Sequence, residues 1–510
     1  MKKSLENIPT FIKTIFLFIL LTVLIKPIWL FDYNTLNGDD LSYWLHASTL
    51  AFDFDIDYQN DYSLNLEIIN EKFNTPFHPP GAGYLSAPFV FIFSLFDNLK
   101  DVEFQRTSPI GTFAYAGYFF ATQLYLVLGF YFLNKLFEIN LIQKHKKTIF
   151  LLTLFSTLIH YSTTRFLMSH TLEFFLVSYL VYNFEKKQEF TSLDFKKSIL
   201  LFFFLAITRP STFIISLCLL LMHRKKIFEH IKDFSNILLI VISCLIYYLI
   251  SQKLYGTSFI LLDLSSNKTT ESFVKFLNLQ NFWDGFLNLP ALFFSLSGGL
   301  IWLMPAVFFG VLFYFFNLKS KNYEYALFSF LFVFGFFVVA LIWKGNEVAY
   351  GQRLFIGLLP FCAYQIGIFT SNKEKVRVIS IITIICYLHY LFFYSSDLLT
   401  LREGFSLWGT FLEYSHEDYT INLFIQLTNI ENYLKIFSKT IYSILLFGTF
   451  QFENIINLFP DYLKNLENVK LFQIRAERYY DLNFNYIFIV SLIHFLTTYK
   501  FIKIIDSKKV

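Results

Sequence analysis

The chain has 510 residues, of which 55% are hydrophobic, 21% aromatic and 16% charged, and its formal net charge is +4. Soluble domains carry about a quarter charged residues, so this composition excludes an ordinary cytosolic enzyme. The apolar content also excludes a disordered chain. Long apolar runs separated by short charged segments instead predict an all-α polytopic membrane protein.

Apolar runs long enough, or nearly long enough, to cross a bilayer recur along the chain. They lie at 11–31, 111–134, 148–162, 167–184, 235–250, 299–317, 325–343, 354–370, 376–394 and 486–502. Two shorter runs, 198–207 and 211–222, predict a pair of short helices with Arg209 at the tip. Together the runs predict about twelve crossings, and a further stretch at 84–96 is predicted to be re-entrant or interfacial.

The distribution of Lys and Arg predicts the orientation of these spans. With the N-terminus in the cytoplasm, every loop on the inner side is rich in Lys and Arg, and the outer segments are acidic in sum. The predicted outer segments are 32–83 (to 110 if 84–96 does not cross), 251–297, 344–353 and 395–485. The chain is therefore predicted to divide into a membrane module over 1–394, an extracytoplasmic region over 395–485, and a last span with its tail over 486–510. The predicted location is the bacterial inner (plasma) membrane, with both termini cytoplasmic.

The first outer loop is the most informative part of the sequence. Residues 32–83 include nine acidic residues and a single basic one, Lys72. Asp39 and Asp40 follow closely on the first apolar run, near the membrane surface. Partial burial there raises the pKa of a carboxyl group, so we predict that one or both act as a general base. The alternative is an acidic loop that is merely solvated.

Further along this loop, Asp53, Asp55 and Asp57 occupy alternate positions. In an extended chain all three carboxylates share one face, where their oxygens can hold a divalent cation. A divalent cation is thus left open as a cofactor, against the alternative of plain solvation. The residues of this loop predicted to line a substrate site are Tyr43, Asp57, Asn60 and Asp61.

Three basic side chains are predicted to lie at the height of a lipid-borne phosphate. His78 is held by a Pro79-Pro80 turn, because two prolines fix the backbone. Arg209 lies at membrane depth, where a cation is costly unless it has a function or a partner. Arg353 ends the short outer loop 344–353. We predict that all three bind a donor phosphate; the alternatives are an incidental turn histidine, a structural ion pair, and snorkelling to lipid headgroups.

Two further positions lie at predicted outer ends of spans. His170 and Glu173 are three residues apart and share a helix face, so both are predicted to line the site. Glu173 is also a candidate ion-pair partner of Arg209. Tyr350, in the short loop before Arg353, is the last predicted substrate-lining residue.

The order of these motifs resembles the GT-C superfamily of membrane glycosyltransferases, and in particular the bacterial family 39/83-like transferases, which are related to protein O-mannosyltransferases and the lipid A aminoarabinose transferase. The resemblance covers roughly residues 10–370. It is carried by five motifs, which begin at Gly38-Asp39-Asp40, His78-Pro79-Pro80-Gly81, Thr208-Arg209-Pro210, Gly298-Gly299-Leu300 and Gly351-Gln352-Arg353.

The resemblance implies an enzyme that moves a sugar from a polyprenyl-phosphate carrier to a glycan, lipid or protein acceptor on the outer face of the membrane. It implies inversion at the anomeric carbon, with Asp39 or Asp40 as base and with Arg353 and Arg209 on the leaving phosphate. The sequence has Asp-Asp where protein O-mannosyltransferases commonly have Asp-Glu, which leaves the acceptor open. No Gly-rich nucleotide loop is present, in agreement with a lipid donor. The lipid bilayer is an expected partner, and nucleic acid is not.

Two other classes of membrane protein fit the same span count. A transporter or flippase is expected to show internal repeats and interrupted helices at matching positions, and none is apparent in the sequence. An O-antigen or polysaccharide polymerase or ligase also has large outer loops, but its chemistry usually lies on later loops. The acidic first loop therefore favours the transferase.

Overall fold

The structure of the protein is a computed structural model. It describes residues 38–58, 69–70, 75–76, 78–99, 109, 112–142, 145–163, 165–186, 189–256, 289–294, 299–318, 323–342, 353–371 and 381–383, with a few isolated positions. The described part is almost entirely helical. Its helices are α1 Gly38–Phe52, α2 Gly81–Leu99, α3 Phe113–Ile139, α4 Lys146–Thr153, α5 Ile159–Thr163, α6 His170–Glu185, α7 Ser192–Thr208, α8 Pro210–Met222, α9 Arg224–His230, α10 Phe234–Tyr255, α11 Leu289–Phe294, α12 Leu300–Leu303, α13 Pro305–Asn317, α14 Tyr323–Ile342 and α15 Leu359–Ser371.

The first outer loop contains a buried helix, which corrects its prediction as a loop. Asp39 and Asp40 occupy the first turn of α1, where the helix dipole favours negative charge. Leu41, Trp44 and Leu45 are at most 1% exposed. Their spacing of three and four residues gives α1 an apolar face, and this face packs it into the core. Two short antiparallel strands, β1 Ile69–Asn70 and β2 Thr75–Pro76, follow α1.

Helix α2 contains the apolar stretch 84–96. It is 19 residues long and apolar enough to cross a membrane, and its re-entrant or interfacial placement stays a prediction. The helix extends beyond the apolar residues through Asp97. The carboxylate of Asp97 accepts hydrogen bonds from the backbone N–H groups of Phe113 (2.6 Å) and Ala114 (2.8 Å). It thereby satisfies two of the otherwise unpaired donors at the start of α3.

Among the described residues, five helical segments are long and apolar enough to span a bilayer. They are Gly81–Leu99, Phe113–Ile139, Phe234–Tyr255, Tyr323–Leu341 and Arg353–Ser371. Two shorter apolar helices, α8 and α13, accompany them. These helices support a membrane protein with a lipid bilayer as its partner. The count of about twelve stays a prediction, because 486–502, the region 395–485 and most of 11–31 and 376–394 lie outside the described residues.

Two predicted spans are broken, and the breaks face each other. The run 148–162 is interrupted at Ser156 and Thr157, which have non-helical dihedral angles. The run 299–317 is interrupted at Met304, just before Pro305 begins α13. Thr157 Oγ1 donates to the carbonyl of Leu303 (2.9 Å), and Ser156 Oγ accepts from the backbone N–H of residue 306 (3.0 Å). These hydroxyl groups bond to backbone groups that lose their partners where the helices break. The hydropathy of both runs is uninterrupted, and for that reason the sequence pattern did not reveal the breaks.

Helices α7 and α8 lie on either side of Arg209, as the sequence predicts. Thr191 caps α7 by accepting from the backbone N–H of Asp194, and Pro210 starts α8. Helix α2 packs on α3, α3 on α6, and α6 on α7. Helix α6 therefore lies inside the bundle and carries one glutamate near each of its ends, Glu173 and Glu185.

Candidate functional site

The first turn of α1 holds two carboxylates that meet basic groups from three distant segments. Asp39 lies 2.9 Å from His78 Nε2 through Oδ1, and its Oδ2 accepts from Arg353 Nη1 (2.8 Å). Asp40 Oδ2 lies 2.6 Å from Arg165 Nε. Two adjacent acids are thus held apart, each by its own arginine.

A third carboxylate, Glu173, lies fully buried at the start of α6. Its Oε2 is 3.3 Å from Arg209 Nε and 3.3 Å from His170 Nδ1. Its Oε1 accepts from Thr212 Oγ1 at 2.5 Å. The pairing of Glu173 with Arg209, which the sequence offered as the alternative to phosphate binding by Arg209, is therefore present. It leaves both residues inside the same polar region as α1.

Contacts and electrostatics join these two groups into one site. Tyr43 of α1 lies 3.2 Å from Ser169, between their hydroxyl oxygens, just before His170. The charges of Arg209, Arg353, Asp39 and Arg165 all act on the His170 ring. We call this set the carboxylate–arginine cluster. Its members are Asp39, Asp40, His78, Arg165, His170, Glu173, Arg209 and Arg353.

Two glycines allow the backbones around the cluster to approach closely. A Cβ atom on Gly83 would lie 2.4 Å from the Cβ of His46 and 2.7 Å from the carbonyl oxygen of Tyr43. A Cβ atom on Gly357 would lie 2.7 Å from Glu173 Oε1. A side chain at position 83 would collide with the backbone of α1, and one at position 357 would displace the Glu173 carboxylate. The first glycine lets α2 dock on α1, and the second lets the 3-10 turn Arg353–Leu358 bring Arg353 to the site.

The surroundings move the pKa values of the two adjacent acids in opposite directions. Burial acts to raise the pKa of Asp39, but the hydrogen bonds and charges of His78 and Arg353 outweigh it and hold that pKa well below the ordinary value. Burial raises the pKa of Asp40, and the opposing charge of Arg165 does not cancel that rise. Paired carboxyl groups whose pKa values diverge are a common arrangement for acid–base chemistry. Here Asp39 stays ionised and Asp40 is the better proton acceptor.

Several buried polar atoms of the cluster make no hydrogen bond, and Asp40 Oδ1 and His170 Nε2 are among them. Buried polar atoms are almost always satisfied in proteins, so each exception calls for an explanation such as a catalytic role or a bound water or ion. The carboxylate–arginine cluster therefore contains an acceptor and a ring nitrogen whose hydrogen-bonding capacity is unused.

The predicted metal ligands do not adopt the extended geometry that the prediction assumed. Helix α1 ends at Phe52, Phe54 has a positive φ of 58°, and the backbone N–H of Asp57 donates to Asp55 Oδ1 (3.0 Å). This local turn replaces the straight strand that would align three carboxylates. Within the described part of the chain, no group of three or more His, Cys, Asp or Glu side chains is arranged to hold a metal ion.

The structure brings together most, but not all, of the predicted site residues. Tyr43 and seven of the eight cluster members come from the predicted set. Asp57 is exposed in the turn after α1, where its backbone N–H donates to Asp55 Oδ1. Asn60, Asp61 and Tyr350 lie outside the described residues. The roles assigned to all of these residues stay predictions.

The sequence analysis missed Arg165. It lies in the short connection between α5 and α6, and its side chain is 30% exposed. The signal was present, because Arg165 follows threonines at a gap between two apolar runs, as Arg209 does. A cation in such a gap is costly without a function or a partner, so the same argument applies to both arginines.

A second group of charged residues lies at the other end of α6, and we call it the opposite-end cluster. Glu185 Oε1 lies 3.2 Å from His223 Nε2 and accepts from Tyr325 (2.8 Å). Lys186 Nζ lies 2.8 Å from Asp194 Oδ2. The opposite-end cluster consists of these residues and the exposed pair Arg224–Glu324.

Comparison with known proteins adds no relative. No protein-family model, no curated protein and no solved structure matches the chain.

Proposed function

We propose that the protein is an inverting glycosyltransferase that moves a sugar from a polyprenyl-phosphate carrier to an extracytoplasmic acceptor. One observation carries the proposal: two adjacent carboxyl groups, Asp39 and Asp40, are each held by a different arginine and have pKa values moved in opposite directions. The resemblance of the sequence motifs to membrane glycosyltransferases supports the choice of reaction.

In this mechanism Asp40 is the general base. Arg165 holds Oδ2, and Oδ1 is the buried oxygen without a hydrogen-bond partner. Oδ1 takes the proton of the acceptor hydroxyl as the hydroxyl oxygen forms its bond to the anomeric carbon. The bond from that carbon to the phosphate oxygen breaks, and its electron pair leaves with the phosphate. A positioned base of this kind contributes about 10²- to 10⁴-fold in rate.

The arginines of the cluster stabilise the leaving phosphate. The cluster pairs three carboxylates with three arginines, which makes it neutral while all six are ionised. Protonation of Asp40 during the reaction leaves one positive charge in excess. The leaving group gains negative charge in the same step, as the donor diester becomes a phosphate monoester. The charge of the site thus changes in the direction that favours product formation.

The remaining polar groups of the cluster suit the sugar. His170 Nε2 is a buried ring nitrogen without a hydrogen-bond partner, and Tyr43 contacts both Ser169 and the His78 ring. We assign His170, Glu173 and Tyr43 to sugar binding. The sequence alone supports the other candidates for lining the substrate site, which are Asp57, Asn60, Asp61 and Tyr350.

The proposed orientation has the carboxylate–arginine cluster on the outer side of a bacterial plasma membrane and both termini in the cytoplasm. Basic residues of the other end, among them Lys186, Arg224 and Lys226, support this orientation, because inner loops are enriched in Lys and Arg. Helix α10 exposes large apolar side chains along its length, as a lipid-facing helix does.

The test uses purified protein in detergent, a panel of radiolabelled polyprenyl-phosphate sugars, and nucleotide sugars. We expect release of polyprenyl phosphate from at least one lipid-linked sugar and no release of nucleotide from the nucleotide sugars. The Asp40→Asn variant should lose this release, whereas Asp194→Asn, a matched change in the opposite-end cluster, should keep it. Adding EDTA decides whether a divalent cation takes part.

Other outcomes point to other functions. Binding of a lipid-linked oligosaccharide without turnover of any single-sugar carrier would indicate a polymerase or ligase. Uptake of a lipid-linked sugar into vesicles without chemical change would indicate a transporter. Release that survives both Asp40→Asn and Asp39→Asn would refute the assignment of the base.

A further inference from the structure

A single face of α1 contacts the backbone N–H, the backbone carbonyl and the Nε2 atom of His78. Residues 39, 42 and 46 have the spacing of neighbours on one helix face. Asp39 Oδ1 lies 2.9 Å from His78 Nε2, and Ser42 Oγ accepts from the His78 backbone N–H (3.1 Å). His46 Nε2 lies 2.7 Å from the His78 carbonyl oxygen. The helix that carries the proposed base therefore also holds the backbone of the residue that contacts Asp39.

The contacts of His46 define its tautomer. A carbonyl oxygen only accepts hydrogen bonds, so His46 Nε2 carries the proton and donates to His78. Burial lowers the pKa of His46 to about 3, against a smaller upward effect of this hydrogen bond, and the ring is neutral. Its Nδ1 is then an acceptor, which lies 2.5 Å from the Tyr58 hydroxyl. His46 is thus the neutral Nε2–H form, with a distinct partner on each nitrogen.

The carbonyl of His78 has a second donor from a distant helix. Tyr255, at the end of α10, donates to it at 2.7 Å. Tyr84 lies 3.3 Å from the Tyr58 hydroxyl and closes the other side of the network. The rings of Tyr58 and Tyr84 meet the His46 ring edge-on, at centroid distances of 5.3 and 5.7 Å. The surrounding rings leave His46 little freedom to turn.

We propose that His46 is a positioning residue: as the neutral Nε2–H tautomer it fixes the carbonyl of His78 and thereby holds the His78 imidazole against Asp39. The kinetic consequence rests on the proposed function, whereas the geometry does not. Through Asp39, the same contact orients Arg353, which shares that carboxylate. A shift of about 1 Å in such a support costs an enzyme up to about 100-fold in rate.

Two amide variants, each of which matches one ring nitrogen of His46, test whether the donor to His78 matters. In His46→Gln the side-chain amide nitrogen replaces Nε2 and can still donate to His78. In His46→Asn the shorter amide reaches only the position of Nδ1, so the donor to His78 is lost. We expect His46→Gln to keep sugar release within about threefold of wild type and His46→Asn to lower it about 10- to 100-fold. Equal rates for the two variants would overturn the proposal, because a packing role does not distinguish the two nitrogens.

Solid-state NMR of the full protein with ¹⁵N-labelled histidine gives a readout that needs no turnover. We expect one histidine, absent from the His46→Gln spectrum, to show the widely separated pair of ring shifts of a neutral tautomer that is protonated at Nε2. The ring signal of His78 should be unchanged in His46→Gln and displaced in His46→Asn. The opposite tautomer, or an unmoved His78 signal in His46→Asn, would refute the proposal even if no sugar is ever transferred.

A second variant covers the case in which His46→Asn does not fold. Tyr255→Phe removes the other donor to the same carbonyl without altering His46. We expect a smaller displacement of the His78 ring signal in the same direction and a smaller loss of sugar release. If the His78 signal does not move in Tyr255→Phe, its carbonyl does not control the imidazole, and the proposal fails. Displacement of the signal without any sugar transfer would sustain the positioning role and refute the proposed function.

Discussion

Glu173 and Glu185 lie about 18 Å apart along the axis of α6 and belong to two different kinds of charged cluster. In the opposite-end cluster, Glu185 Oε1 lies within hydrogen-bonding distance of His223 and Tyr325. Asp194 accepts from the Thr191 backbone N–H at the helix cap and also lies close to Lys186 Nζ. In the carboxylate–arginine cluster, each carboxylate instead meets an arginine. Both clusters neutralise charge, but only the second gathers three guanidinium groups in one place.

The two clusters differ in how completely their buried polar atoms are hydrogen-bonded. Thr191 donates to Asp194 from both its backbone N–H and its hydroxyl, at 2.9 and 2.7 Å. Asp40 and His170, by contrast, each retain a buried atom without a hydrogen-bond partner. A cluster that only stabilises the fold gains by satisfying every group. We therefore infer that the carboxylate–arginine cluster is the one that binds a ligand. Matched substitutions at the two ends of α6 test this distinction.

The largest expected difference between the clusters is at the carboxylates. Asp40→Asn keeps the shape of the side chain but removes the proton acceptor, so we expect sugar transfer to fall by about 10³-fold or more. Asp194→Asn makes the same chemical change at the other end and should leave the rate within about twofold. Initial rates of polyprenyl-phosphate release measure both. Equal losses in the two variants would mean that the clusters do not differ in function.

The next effect concerns the arginines. Arg353→Gln removes a guanidinium group that pairs with Asp39 and that we assign to the leaving phosphate. We expect kcat/KM for the lipid-linked donor to fall by about 10- to 100-fold. Arg224→Gln removes an exposed guanidinium group paired with Glu324, and exposed pairs contribute little. Its kcat/KM should match wild type. A comparable loss in Arg224→Gln would show that the arginine effects reflect folding.

The pH dependence sharpens the comparison further. In the proposed mechanism transfer requires Asp40 in its ionised form, so we expect the rate to fall when the pH drops below the raised pKa of Asp40. Arg165 opposes that rise through its charge. Arg165→Gln removes the opposition, raises the pKa of Asp40 further, and moves the acid side of the pH–rate profile to higher pH. Arg224→Gln should leave the profile unchanged. A shift to lower pH in Arg165→Gln would contradict Asp40 as the base.

Sequence patterns anticipated which residues meet, because hydropathy and charge predict which end of each span a residue occupies. Glu173 was named from its depth as a candidate partner of Arg209, and Asp39 and Arg353 were placed on the same side of the membrane, although their ion pair was not predicted. The backbone between such points was less predictable. The break at Ser156 and Thr157 depends on a contact with Leu303, far along the chain, and no local pattern encodes that contact.

Helix α1 shows a second reason for a missed element. Its acids suggested a solvated loop, although Leu41, Trp44 and Leu45 already had helical spacing directly behind them. Acidic residues in a first helical turn are stabilised by the helix dipole, so a Gly-Asp-Asp start followed by that spacing predicts a helix. Arg165 was missed because the runs on either side of it were treated as spans and their connection as a mere turn.

The smallest expected effect is on stability and concerns the opposite-end cluster. Asp194 Oδ2 accepts from the Thr191 backbone N–H and lies 2.8 Å from Lys186 Nζ. Asp194→Asn keeps the cap and loses the ion pair, whereas Asp194→Ala loses both. We expect the free energy of unfolding to fall by about 1 kcal/mol in the first variant and about 2 kcal/mol in the second. Thermal unfolding in detergent measures the order of the two, and sugar release should be normal in both at low temperature. Loss of transfer in a variant that stays folded would mean that the opposite-end cluster also serves the reaction, and the contrast between the two ends of α6 would no longer hold.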